Sequence, residues 1–441
     1  MQRGEVVPSG MPSDEPSPTP CRWSWLKAIG PGILLAGAAI GVSHLVQATR
    51  AGAEYRVGMI GLLILACATK YPFLQFGPRF AAATGKDLIE GYRQLGSWAL
   101  WICFAVTFGS MFIIMAGVTV VTAALAQFLF DPYVPVDMSL TAWSGVMVLA
   151  CMLLLVLGRY PALDRTMKLI MAVLLVSTIT AVMMAAWSPS ERLLQAAPPP
   201  WWSVSAFGFI LAFMGWMPIP IDSAIWHSIW MQERARQTKH TASMREALID
   251  FNFGYLLAGV VAIFFLALGA LVMFNQDEAF QASGAGFARQ FIELYGRTLG
   301  AWSVPIIAIA AFTTMFSTTL IVLDAFPRVM QRLTMTLRAS TGGRTAFASY
   351  EYAAWVVAQA VLAVVILAYF GGQLVRMVDL ATTLSFLTAP ILAFINYRVI
   401  ISRQVPRAMQ PGRTMRVFSI ASMLFLAAFS IAYLVWQITA R

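Results

Sequence analysis

Apolar runs of twenty residues or more alternate along the chain with short polar loops. The rhythm predicts helices at 26–55, 57–82, 98–129, 139–158, 165–187, 203–232, 248–274, 300–327, 350–370, 377–397 and 417–438. Runs of that length cross a hydrocarbon layer of about 30 Å, and a helix there satisfies its own backbone polar groups. The pattern therefore predicts an all-α polytopic membrane protein of about eleven transmembrane helices. Residues 1–22 break the rhythm: they are rich in Pro and Ser and lack an apolar core. They read as a disordered cytoplasmic tail rather than a signal peptide.

Composition agrees with the pattern. Of the 441 residues 59% are hydrophobic and 11% charged, against roughly 25% charged in a soluble domain. A soluble enzyme, a secreted disulfide scaffold and a nucleic-acid binder are excluded. The formal charge of +10 is accounted for by topology. Most of the basic residues fall in the even-numbered inter-span loops and the N-terminal tail, for example Arg234, Arg236, Lys239 and Arg245 after the sixth span. Positive loops stay cytoplasmic, so the N-terminus is expected inside and the C-terminus outside, in a bacterial inner (plasma) membrane. The four cysteines have no metal-ligand or redox spacing and read as small buried hydrophobes. No cofactor is expected.

Two spans are interrupted. The first carries Gly41-Val42-Ser43-His44 at its middle, and the sixth carries Pro218-Ile219-Pro220-Ile221-Asp222-Ser223. Pro220 cannot donate to Trp216, nor Pro218 to Met214, so the sixth helix must open. Gly41 lies 15 residues into the first span and Pro218 lies 15 into the sixth. Paired interruptions at matching depth in two halves point to a transporter built from inverted repeats, with its site at the midplane. The alternative is a pair of kinks used only in packing. On the transporter reading, residues 23–400 form the inverted-repeat core. Residues 401–441 add a cytoplasmic loop and a final transmembrane helix.

Three polar residues stand out against so apolar a background. Asp222 is an acid near the centre of a span, where a charge costs roughly 2.5–3.5 kcal/mol and needs a cavity or a partner. His44 sits at the corresponding break; its imidazole suits a metal, a proton or a freed carbonyl. The bland reading is a hydrogen bond that pins the two breaks together. Lys70, in the middle of the second span, is too short to reach an interface and is expected to seek an acid, with Asp222 the obvious one. Its ammonium would repel or replace a cation, or would make a structural ion pair. The candidate site is thus Gly41, Ser43, His44, Pro220, Asp222 and Ser223, with His44 and Asp222 as metal ligands and Lys70 as charge partner.

The segments Gly30-Pro31-Gly32, Gln47-Ala-Thr-Arg-Ala51-Gly52-Ala53-Glu54-Tyr55, Ala83-Thr84-Gly85-Lys86-Asp87-Leu88 and His227-Ser228 resemble those of the Nramp family of proton-coupled divalent metal transporters. The resemblance implies a LeuT-type fold, with two inverted five-helix repeats plus a final helix, and symport of a metal ion with a proton. It departs at the site. The family carries Asp-Pro-Gly-Asn at the first break, where this chain has Gly41-Val42-Ser43-His44. It carries Met-Pro-His at the sixth, matched here by Pro220-Ile221-Asp222. No acid occupies the third span, 98–129. One imidazole and one carboxylate would suit a borderline or hard cation. A small organic or anionic solute remains the alternative cargo, because half-helix N-termini favour anions and Lys70 would repel metal ions.

Overall fold

The computed structural model describes residues 30–156, 160–187, 206–274, 283–340, 348–370 and 373–439, together with 200 and 281. The expected tail 1–22 lies outside these. The described residues form helices joined by turns and short irregular segments, with no strand among them. In order the helices are α1 (Pro31–Ala39), α2 (Thr49–Tyr55), α3 (Ile60–Thr84), α4 (Leu88–Leu95), α5 (Ser97–Phe130), α6 (Leu140–Val156) and α7 (Tyr160–Trp187). They continue as α8 (Phe207–Trp216), α9 (Ser223–Thr238), α10 (Met244–Leu268), α11 (Gly284–Leu299), α12 (Ser303–Ser340), α13 (Ala348–Phe370), α14 (Leu374–Ile400) and α15 (Arg413–Thr439). Seven helical stretches among the described residues are long and apolar enough to cross a membrane, and three shorter apolar helices join them.

Both interruptions are present. The first span is α1, a bend at Ile40–Val42, a π-helical turn Ser43–Ala48 and α2. The sixth is α8, an extended stretch beginning at Met217 (ψ 123°), and α9. Pro72, Pro78, Pro327 and Pro390 sit inside continuous helices. A single proline therefore does not open a span; the Pro-x-Pro pair does, because two donors are lost within one turn.

Two segments expected as loops are helices. α4 buries Leu88, Ile89 and Tyr92 on one face, and α11 buries Phe287, Phe291, Ile292 and Tyr295. Both are too short to span, so a reading tuned to twenty-residue runs passed over them. Asp87 and Ser283 start them by accepting the N–H of Glu90 and Gly286. The eighth span was expected to end at 327, yet α12 runs on to Ser340 as a polar extension carrying Arg328, Arg332 and Arg338.

The core is held by paired crossings. α1 lies on α10 so closely that a Cβ on Gly32 would stand 2.0 Å from the Asp250 carbonyl oxygen. One on Gly254 would stand 2.0 Å from that of Gly32. α3 lies on α9 in the same way, with a Cβ on Gly77 placed 2.2 Å from the Ala224 carbonyl oxygen. First-on-seventh and second-on-sixth are the same contact shifted by five spans, as an inverted repeat requires. Asp250 also fastens the start of α1. Its Oδ1 accepts the Gly30 N–H at 3.1 Å and its Oδ2 accepts that of Gly32 at 2.6 Å, which satisfies donors of the first turn that α1 leaves open.

Candidate functional site

The two breaks face each other across a small chamber of about 30 Å³, lined by Ala39, Val42, Ser43, Trp216, Pro218, Pro220, Trp226 and Thr318 among others. That is room for a water molecule or a small ion. The lining is mostly apolar. Polar groups reach it from Ser43 and Thr318 and from the chain around Pro218–Pro220.

The candidate residues do not converge on one point. At the first break, His44 is fully buried and turns toward α10. Its Nε2 lies 2.8 Å from the Ala258 carbonyl, and its Nδ1 lies 2.8 Å from Ser43 Oγ. Ser43 Oγ donates to the Ala39 carbonyl at 2.7 Å. Thr318 donates to the Gly37 carbonyl at 3.3 Å, and its methyl and hydroxyl leave no room for a Cβ on Gly41. A direct hydrogen bond from His44 to Asp222, the expected pin between the breaks, is absent among the described residues.

At the sixth break the accounting differs. Ser223 donates its hydroxyl to the Pro220 carbonyl at 2.7 Å. Asp222 occupies the N-cap position of α9 yet makes no capping hydrogen bond, and its Oδ1 is buried without any partner. An N-cap aspartate ordinarily accepts from the N2 or N3 amide; here the carboxylate is approached by the nearer amides of Asp222 and Ser223 instead, and Oδ1 is left over. It lies within electrostatic reach of Lys70, Tyr92 and Cys103, on the side of α3–α5, and it is not among the residues that line the chamber, of which Ser43 and Pro220 are the only candidates.

The expected ion pair between Lys70 and Asp222 is corrected by the structure. Lys70 is fully buried, and its Nζ donates to the Gly215 carbonyl at 2.6 Å. Among the described residues no contact short enough for an ion pair joins it to Asp222. That carbonyl is free because α8 ends at Trp216, and Ile219, its donor in a continuing helix, lies in the extended stretch. Nor do the described residues bring three His, Cys, Asp or Glu side chains together as a metal site.

One cluster was missed from the sequence. Arg50 in α2 donates to Asp379 in α14 at 2.9 and 3.0 Å and to Glu54 at 2.7 Å, while Gln47 also donates to Asp379 at 2.9 Å. The Arg50 guanidinium lies 4.5 Å from the centre of the Phe209 ring in α8. Neither Arg50 nor Asp379 is among the candidate residues read from the sequence. The signal available was an acid one turn into an apolar span. The cluster ties the first, sixth and tenth spans together beyond the break.

The model of the family described as natural resistance-associated macrophage protein-like, Nramp, matches residues 32–437. The chain belongs to the Nramp family. It is a membrane transporter of LeuT-type fold. An uncharacterized protein of Pasteurella multocida (strain Pm70) is 33% identical over 93% of this chain and 92% of its own. The metal transporter Nramp3 of Oryza sativa subsp. japonica is 22% identical over 69% of this chain and 56% of its own. Among solved structures, the manganese transporter of Eremococcus coleocola aligns with a TM-score of 0.71 at 16% identity, covering 95% of this chain and 88% of that one.

Proposed function

We propose that this Nramp-family transporter carries a small cation past the two breaks, with a divalent metal ion as cargo and Asp222 as its anchor. The observation that carries the reading is the buried, partnerless carboxylate oxygen of Asp222 at the opening of the sixth span. A carboxylate there carries a burial cost that a bound cation would offset. The donors nearby are oxygens: Asp222, the hydroxyls of Ser43, Ser223 and Thr318, and main-chain carbonyls around Gly41 and Pro220. Such a set suits a harder cation than one held by thioether and imidazole. His44, engaged on Ala258, serves to hold the first break and joins the ligands only if its ring leaves that carbonyl. The names of the rice and Eremococcus relatives, a metal and a manganese transporter, support a metal cargo. The distribution of basic residues supports a cytoplasmic N-terminus in a bacterial inner membrane, and the family resemblance supports symport with a proton.

The test is uptake into proteoliposomes of labelled divalent cations, with Asp222→Asn beside the wild type. Wild type is expected to accumulate at least one cation and the variant to fall by about a hundredfold, the scale of losing one charge-assisted ligand. Silence of the wild type toward every cation sinks the reading. A second reading, a small organic or anionic solute, is favoured by the apolar lining with Trp216 and Trp226 and by the buried Lys70. A thermal-shift screen of metabolites on purified protein distinguishes it. The chamber would have to widen well beyond about 30 Å³ to admit such a cargo.

A further inference from the structure

Lys70 is used by no step described so far. It lies in the 25-residue α3, fully buried, and accepts no help from an ion pair. Its hydrogen-bond acceptor is the Gly215 carbonyl at 2.6 Å. That carbonyl is one of those at the C-terminal end of α8 that the break leaves without a helical donor. The C-terminal end of a helix carries the negative pole of its dipole. In interrupted-helix transporters, such ends and the unwound carbonyls beside them are where small cations are coordinated. A lysine kept only for packing would hardly be retained in that place, since an uncharged side chain fills the same space without the cost of burying an ammonium.

We propose that Lys70 is a tethered cation: its ammonium occupies the coordination position at the end of α8 in place of a free monovalent ion. Asp222, within electrostatic reach but unbonded to it, supplies the opposite charge while its oxygen stays open to cargo. The chain then needs no sodium or potassium ion at this break, because it brings its own. The idea deepens the reading above and rests on its placement of the site at the break. Occupancy of the α8 end, however, is measurable whatever the cargo is.

The experiment is thermal unfolding of the purified full chain in lipid nanodiscs, titrated with sodium, potassium or methylammonium chloride and with choline chloride as the ionic-strength control. Wild type is expected to show no response that choline does not also give. Lys70→Ala is expected to melt about 5 °C lower and to recover at least half of that, saturably, with methylammonium or sodium but not with choline. Lys70→Met, which refills the space, is expected to show no recovery. Lys70→Ser leaves the space open in the same way and carries the same titration should the alanine variant fail to fold. A flat response to every small cation in both the alanine and serine variants overturns the proposal. So does a Lys70→Met response equal to that of Lys70→Ala. Failure of cation uptake in the proteoliposome assay, with the rescue intact, would remove the cargo assignment and leave the tethered cation standing.

Discussion

The first and sixth breaks are equivalent by position and opposite in how their polar groups are used. At the first, the side chains of the opening itself are engaged: Ser43 reaches back to Ala39 and His44 reaches out to Ala258, while Gln47 Oε1 further along the turn stays buried without a partner. At the sixth, a lysine from another span caps the opened helix while Asp222 keeps a buried oxygen without a partner. One break is tied through His44 to α10, and the other leaves a buried carboxylate oxygen unbonded. The difference teaches that a helix interruption is not itself a binding site; what matters is which freed group the surrounding spans decline to satisfy.

The comparison is broken most severely where both breaks depend on the same packing. Gly32→Ala and Gly77→Ala each drive a Cβ into a main-chain oxygen. Each is expected to cost more than about 3 kcal/mol, read as loss of monodisperse protein on size-exclusion chromatography. Equal damage in the two halves would support their equivalence; tolerance of either would argue against the close crossing. The next substitutions separate the breaks. Asp222→Asn is expected to remove uptake by about a hundredfold with no loss of stability, because it takes away an unpaired buried charge. His44→Ala is expected to do the reverse. It should lower stability by about 2 kcal/mol through the lost hydrogen bonds to Ala258 and Ser43 and the cavity left behind, while uptake stays within about tenfold of wild type. Loss of uptake in a normally stable His44→Ala protein would return that imidazole to the ligand set. Ser43→Ala is the smallest effect, about 1 kcal/mol of unfolding free energy, with uptake near normal.

The spans were legible because lipid imposes one strong rule, and the apolar runs obey it. The breaks were legible for the complementary reason: Gly41 and the Pro218–Pro220 pair violate the rule at matching depth. α4 and α11 were not, since their eight and sixteen residues show an apolar face too short to register among spans. At the site, the sequence picked out Asp222, His44 and Lys70 as expensive residues but paired them by elimination. His44 was set against Asp222 and Lys70 against the same acid. Their real partners are the Ala258 and Gly215 carbonyls, and backbone acceptors have no signature in side-chain identity.

By itself, then, the sequence determined what the solvent imposes. It set a helical membrane protein with two interrupted spans and a few buried charges, because transfer into lipid is a property of each residue in turn. Only the tertiary structure decided which freed carbonyl meets which side chain. It also revealed that Arg50 and Asp379, more than three hundred residues apart, close one end of the core. Those choices rest on helix crossings set by Gly32, Gly77 and Gly254, and a crossing is a relation between distant segments that no local pattern encodes.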